Sequence, residues 1–169
     1  MKFIPCFLLG FLLQAGVTHA APPLMQEDDK TLIKLTGERT KLQRQTNPVD
    51  RAKTGIKVSE LLLTLVSGAV RKGDLELMAT RLNEYTATIT DAHETLVKTG
   101  RNAHSKPSGF KDLEIALRRQ MRQLDDLGGA LSFDERSPVT RARTVAADIR
   151  DAILKAMFGG QNNAPSVRS

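Results

Sequence analysis

Apolar side chains recur at alternating steps of three and four residues between Gly73 and Leu96. The positions in this series are Leu75, Met78, Leu82, Tyr85, Ile89, Ala92 and Leu96. Residues 85–90 also alternate between Tyr, Ala or Ile and threonine, which is typical of a half-buried strand. Because the helical spacing covers some 22 residues and the alternation only six, the pattern predicts an amphipathic helix rather than a strand.

A second helix is predicted before it, from Asn47 to Arg71. Asn47 is suited to cap the N-terminus of this helix, and Pro48 is suited to its first position. Its apolar series consists of Val49, Ala52, Ile56, Ser59, Leu63, Val66 and Val70, with Leu61, Leu62 and Leu65 beside it. An apolar stripe of this width predicts a central helix that contacts neighbours on two sides.

The connector between these two helices is Lys72-Gly73-Asp74. A connector this short forces the helices into an antiparallel hairpin, and Asp74 is suited to cap the second of them. Gly55 and Gly68 weaken the first helix by up to ~1 kcal/mol each relative to alanine, unless a closely packed neighbour requires them.

Three further helices are predicted from the same spacing. One runs from Asp29 to about Gln45, the next is capped by Ser108 and ends at Gly128-Gly129, and the last begins at Ser137-Pro138 and ends at Gly159-Gly160. Their inward positions are Leu32, Leu35 and Leu42; Phe110, Leu113, Leu117, Met121, Leu124 and Leu127; and Val139, Ala142, Ala146, Ile149, Ile153, Ala156 and Met157.

The five segments predict an all-α domain over residues 29–158, most simply an up-and-down bundle of four to five helices. A short solenoid of helical hairpins is the alternative, because the hairpin around Gly73 resembles a repeat unit. The proline-bearing stretch 21–28 is expected to be flexible. The tail 159–169 has no apolar period and is expected to be disordered.

The first twenty residues have the features of a secretory signal peptide. Lys2 precedes the apolar run FIPCFLLGFLLQAGV, and Thr18-His19-Ala20 offers a cleavage site after Ala20. The run is shorter than the ~20 apolar residues of a membrane-spanning helix, so we expect no transmembrane span after cleavage. The only cysteine, Cys6, lies in this segment, and no Asn-x-Ser/Thr acceptor follows it. We therefore expect a bacterial protein that is periplasmic or secreted.

The mature chain has few groups suited to metal binding or catalysis. Its two histidines, His93 and His104, lie eleven residues apart, or ~16 Å along a continuous helix, too far to share one metal ion. The sequence has no Cys-x-x-Cys-His motif for covalent haem. Its Lys-Thr-Gly triplets precede the Ser-x-x-Lys at 108–111, the wrong order for a penicillin-recognising serine enzyme. We expect a non-enzymatic protein without catalytic, cofactor-binding or metal-binding residues.

Basic residues are in excess and unevenly spaced. The chain has a net charge of +6, or about +5 once Lys2 leaves with the signal peptide. Three clusters concentrate this charge, namely Arg39, Lys41 and Arg44; Arg118, Arg119 and Arg122; and Arg136, Arg141 and Arg143. Such clusters attract anions, although solvated faces that keep the domain soluble are the other interpretation. Nucleic acid is not expected as a partner, because the mature chain has few aromatic residues for base stacking.

These features predict an exported helical protein of the cell envelope that binds an unidentified protein or an anionic envelope component, through a helix face or a basic patch. One alternative is a periplasmic chaperone or stress-sensor-like protein that binds clients through an apolar helix face. That function requires an exposed apolar stripe, for which Leu61–Val66 is the candidate. A haem or metal carrier is the remaining alternative.

Overall fold

The computed structural model describes residues 23–159, and the side chains of residues 28–159. Five α-helices occur in this range: α1 (Pro23–Arg44), α2 (Pro48–Lys72), α3 (Leu75–Lys98), α4 (Phe110–Gly129) and α5 (Ser137–Phe158), with a 3-10 turn at Phe133–Glu135 before α5. No strand occurs between residues 23 and 159, and residues 85–90 lie within α3. The all-α fold class is therefore confirmed. The predicted signal peptide and residues 160–169 of the tail lie outside the described residues.

Side-chain caps set the start of the two central helices. The Asn47 side chain accepts hydrogen bonds from the backbone N–H groups of Val49 and Asp50, and Pro48 follows at the first helical position. Asp74 accepts one from the N–H of Leu77 at the start of α3. Gly73, with φ of +70°, ends α2 in the left-handed conformation that glycine adopts without strain. These caps and the hairpin between α2 and α3 confirm the sequence prediction.

Four helices close into a bundle in which each packs against two neighbours, in the order α2, α3, α5 and α4. The N-termini of α2 and α4 lie at the same end as the C-terminus of α3, since Gly109 is close to both Val49 and Leu96. We call this the lower end. The C-terminus of α5 is also there, because His104 Nδ1 lies 2.9 Å from the carbonyl oxygen of Met157. Consecutive helices therefore alternate in direction, as in the predicted up-and-down bundle rather than the solenoid.

The first helix, α1, packs on the outside of this bundle against α2. Leu35 is its main core residue, and Leu32 is 37% exposed although its spacing predicted an inward position. The charged groups of Lys72 and Asp28 join the upper end of α1 to α2. No helix in the described part of the chain has the length and apolar character needed to cross a membrane.

Two glycines of α2 lie where another helix comes close. A Cβ atom at Gly55 would lie 3.2 Å from the Cβ of Ala92 on α3, and one at Gly68 would lie 2.7 Å from an Asp28 carboxylate oxygen on α1. Close helix packing therefore accounts for Gly55, whereas the atom near Gly68 is the end of the Asp28 side chain.

Two predicted helix starts are wrong. Ser108 does not cap α4, because the residue before Phe110 is Gly109, with φ of +87°, whose N–H donates to the Asp112 carboxylate at 3.4 Å. The first helix begins at Pro23 instead of Asp29. Proline is well suited to the first turn of a helix, and the ion pair of Asp28 holds this end of α1 against α2.

Candidate functional site

One outward stripe of α4 combines basic and apolar side chains. Lys111, Ile115, Arg118 and Arg122 follow one another at steps of four, three and four, so they share a face of the helix, and all are exposed. Arg119 lies beside them and is exposed too. We call these five residues the α4 face. The face includes one of the three predicted basic clusters, Arg118, Arg119 and Arg122.

Arg118 is positioned by a buried carboxylate. Its guanidinium lies 2.6 Å from Glu114 Oε2, and Arg150 on α5 lies 3.2 Å from Glu114 Oε1. The Glu114 side chain is only 6% exposed, so its charge needs partners within the protein. Arg150 also lies 3.5 Å from Asp151, so this contact joins two arginines and two carboxylates.

The other cations of the α4 face differ in their pairing. Arg119 forms an ion pair with Glu60 on α2. Lys111 and Arg122 have no ion pair or side-chain hydrogen bond with any residue that the structure describes. Lys111 and Arg122 are therefore the cations of this face that remain available to a partner.

A groove of about 540 Å³ adjoins the face, between α4, the end of α5 and the loop at the lower end. Its lining is mainly apolar and consists of Ala103, Pro107, Ile115, Leu154, Met157 and Phe158, with His104, Lys111, Glu114 and Arg118 as polar members. Ile115 is 49% exposed and Phe158 is 62% exposed. The groove thus has apolar walls that stand in water beside a row of cations.

The cluster Arg136, Arg141 and Arg143 is held by contacts within the protein. Arg136 donates from Nε to the carbonyl oxygen of Leu131 at 2.8 Å, and Arg141 donates to Ser137 Oγ at 2.7 Å. Arg143 forms an ion pair with Asp125 near the end of α4. These three arginines stabilise the turn between α4 and α5 and the start of α5.

The cluster at the end of α1 has one paired and two unpaired members. Arg39 lies 2.9 Å from Glu84 on α3 and so helps to hold α1 against the bundle. Lys41 and Arg44 are exposed and have no ion pair within the described residues. The structure therefore places the three predicted clusters on different helices, each with its own contacts.

The two histidines do not lie on one helix. His93 is in α3, where burial lowers its pKa and the nearby Glu94 charge partly opposes this. Since α3 ends at Lys98, His104 lies in the loop that follows. Among residues 28–159 there is no group of three or more side chains suited to hold a metal ion.

The apolar stripe required by the chaperone alternative is covered. Leu62, Leu63, Leu65 and Val66 are buried, and Leu61 is half-buried beside α1. Most of this stripe therefore lies in the packing between α2 and its neighbours, and only Leu61 is in part accessible, in a pocket beside α1.

Sequence reasoning missed three components of the site. Glu114 follows Lys111 by three residues and precedes Arg118 by four, yet its side chain is buried and is also paired with Arg150 on α5, which the sequence does not indicate. Lys111 and Ile115 were not assigned to the site, although their spacing from Arg118 and Arg122 places them on the same stripe. That spacing is the feature of the sequence from which both residues could have been assigned to the site.

Comparison with known protein families, with curated proteins and with solved structures finds no match for this chain.

Proposed function

We propose that this chain is an exported, non-enzymatic binding protein of the cell envelope whose α4 face contacts an anionic partner. The observation that carries the proposal is the pair Lys111 and Arg122, which are exposed on one stripe of α4 with no carboxylate partner among the described residues. Their charges are available to an external anion, whereas Arg118 and Arg119 are already paired.

The rigidity of the site supports the same function. Glu114 is fixed between Arg118 on α4 and Arg150 on α5, so the cations extend from a packed helix and not from a mobile loop. The backbone that carries Lys111 and Arg122 is therefore fixed before binding, so less conformational entropy is lost there than on a mobile loop.

Affinity capture from the cell-envelope fraction tests this proposal. The mature chain is compared with the double variant Lys111→Gln/Arg122→Gln, at ionic strengths from about 0.1 M to about 1 M, over which the Debye length falls from about 10 Å to about 3 Å. We expect the native chain to retain a partner that raised salt releases, and we expect the double variant to lose it at low salt.

The matched control is Lys41→Gln/Arg44→Gln on α1. It removes two exposed cations that also have no described ion pair, so the net charge of the protein changes by the same amount. Retention of the partner by this control, together with its loss from the α4 variant, supports the α4 face. Equal behaviour of the two variants contradicts it.

Export is part of the proposal and has its own measurement. The N-terminal sequence of the protein recovered from cells is expected to begin at Ala21, after removal of the charged and apolar leader. Recovery of the chain with Met1 at its N-terminus, from the cytoplasmic fraction, contradicts this part.

A further inference from the structure

Two large apolar side chains point into solvent at the groove beside α4. Ile115 is 49% exposed and Phe158 is 62% exposed, and both line the groove near the lower end of the bundle. Half-buried Leu154 and Met157 lie between them as part of its lining. Other large apolar side chains are exposed too, among them Ile33, Val97 and Phe133. Ile115 and Phe158 line one mainly apolar groove, and an apolar patch of this kind is typical of a contact surface.

Cations surround this apolar patch. Lys111 precedes Ile115 by one helical turn, Arg118 follows it by one turn, and Lys155 lies one turn before Phe158. Most of the nearby carboxylates are already neutralised: Glu114 is held by two arginines, and Asp112 lies 3.8 Å from Lys53. Asp151 is paired with Arg150 as well. Lys111 and Lys155 have no ion pair with any described residue, so the patch presents apolar groups beside two unpaired cations.

The exposure of the groove walls decides which anionic partner fits. A pocket for a single small amphiphile encloses most of its ligand, whereas Ile115 and Phe158 stand largely in water. Peripheral surfaces that dock on lipid place apolar side chains at the boundary of headgroups and acyl chains, and lysine and arginine at the level of the phosphates. The α4 face and the groove beside it have both components, namely exposed apolar side chains and the cations next to them.

We propose that the partner of the α4 face is the surface of an anionic lipid bilayer, with Ile115 and Phe158 entering the interface and Lys111 and Arg122 binding headgroup phosphates. This inference rests on the proposed function and specifies its partner. It also gives the bundle its orientation, because the side that carries the stripe Lys111, Ile115 and Arg122 faces the lipid.

A tryptophan reporter tests the inference directly, because the chain has no tryptophan of its own. Phe158→Trp places an indole at the proposed interface. The matched control, Phe133→Trp, places one at the opposite end of the bundle, where Phe133 is 87% exposed. Emission is recorded with vesicles of equal parts phosphatidylglycerol and phosphatidylcholine, and with vesicles of phosphatidylcholine alone.

We expect a blue shift for Phe158→Trp with the anionic vesicles only, and no shift for Phe133→Trp. Adding Lys111→Gln/Arg122→Gln is expected to reduce vesicle partitioning about 25-fold, as each cation near an anionic surface contributes about fivefold. Equal shifts at both reporters indicate unspecific adsorption and overturn the inference. An emission of Phe158→Trp that is already blue-shifted before lipid is added also overturns the inference. A shift that does not depend on protein concentration indicates that the same molecule covers the groove, and a shift that rises with concentration indicates that a second copy does.

Vesicle co-sedimentation of two serine variants provides a second measurement. Ile115→Ser is expected to lose most of the binding, whereas Ile33→Ser, which removes a 73% exposed isoleucine from α1, is expected to retain it. If vesicles are not bound but envelope capture still depends on Lys111 and Arg122, the lipid inference fails while the proposed function stands. If neither depends on these cations, both fail.

Discussion

Three buried polar side chains form a hydrogen-bonded chain across the centre of the bundle. The Tyr85 hydroxyl on α3 donates to Gln120 Oε1 on α4 at 3.2 Å, and Gln120 Nε2 donates to Ser59 Oγ on α2 at 2.8 Å. Ser59 in turn donates to the carbonyl oxygen of Ile56 at 2.8 Å. Burial raises the pKa of Tyr85, so its phenol remains a donor throughout the neutral range. These hydrogen bonds join three helices at one level and so fix their register.

Removing both partners of the Tyr85–Gln120 hydrogen bond is expected to cost less than the sum of the two single losses. Tyr85→Phe leaves Gln120 Oε1 buried without a donor, and Gln120→Leu leaves the Tyr85 hydroxyl without an acceptor, so each should lower the free energy of unfolding by ~1–3 kcal/mol. The double variant should cost clearly less than the sum of the two. Urea denaturation of the two single variants and the double variant measures these losses. Thr40→Val, at an exposed position, is the control and is expected to unfold with a free energy within ~0.5 kcal/mol of that of the native protein. Strictly additive losses contradict a direct interaction.

The start of α4 depends on one glycine. At Gly109 the backbone φ is +87°, and an added Cβ would lie 2.7 Å from Leu96 Cδ2. Gly109→Ala is therefore expected to lower the free energy of unfolding by ~1–3 kcal/mol, because both the backbone and the contact with α3 are strained. Gly129→Ala, at the end of the same helix with nothing within 4 Å, should be neutral or slightly stabilising. Thermal melts of the pair test this, and similar melting temperatures for the two variants contradict it.

At the scale of elements, α1 has few buried apolar residues and is held in part by ion pairs to α2 and α3. Arg39 on α1 and Arg81 on α3 both lie 2.9 Å from Glu84 Oε2. Burial is the largest single influence on the pKa of Glu84 and raises it, but the hydrogen bonds and charges of the two arginines together outweigh it and hold the pKa below its ordinary value. The stabilisation is therefore present above the unfolded-state pKa of ~4.3 and is lost as pH falls through the folded-state pKa.

Acid should therefore loosen α1 before the rest of the bundle. We expect hydrogen-exchange protection of α1 amides to fall below about pH 4 while that of α3 amides persists. Glu84→Gln should lower the free energy of α1 opening by ~0.5–1 kcal/mol at pH 7, the range for partly exposed pairs, and should flatten its pH dependence. Glu76→Gln, an exposed carboxyl at the start of α3, is the control. A pH dependence that is unchanged in Glu84→Gln contradicts the role of this pair.

Local signals and long-range contacts differ in how far the sequence predicted them. The spacing of apolar residues and the caps at Asn47 and Asp74 are local, so they predicted the helices and the α2–α3 hairpin. The burial of Gln120 and Glu114 depends on partners that lie 61 and 36 residues away in the sequence, and no local pattern specifies such pairs. For the same reason the basic clusters could be located from the sequence, whereas which arginines are paired could not.

At the scale of the whole molecule, Tyr85 offers a test of how cooperatively the helices unfold. It is the only tyrosine in a chain without tryptophan, and it is fully buried. Its hydroxyl donates to Gln120 on α4, which donates in turn to Ser59 on α2, so its fluorescence reports on the centre of the bundle. Contacts between α3 and α5 and between α2 and α4 join the two hairpins, which favours a single transition. We expect urea curves from tyrosine fluorescence and from helical circular dichroism to coincide for the native chain.

Leu35→Ala removes the main core residue of α1, so in this variant the dichroism signal should begin to fall before the fluorescence changes. Separate transitions in the native chain would show that α1 already unfolds independently, whereas coincident curves in Leu35→Ala would show that α1 is bound more firmly than its few buried side chains imply.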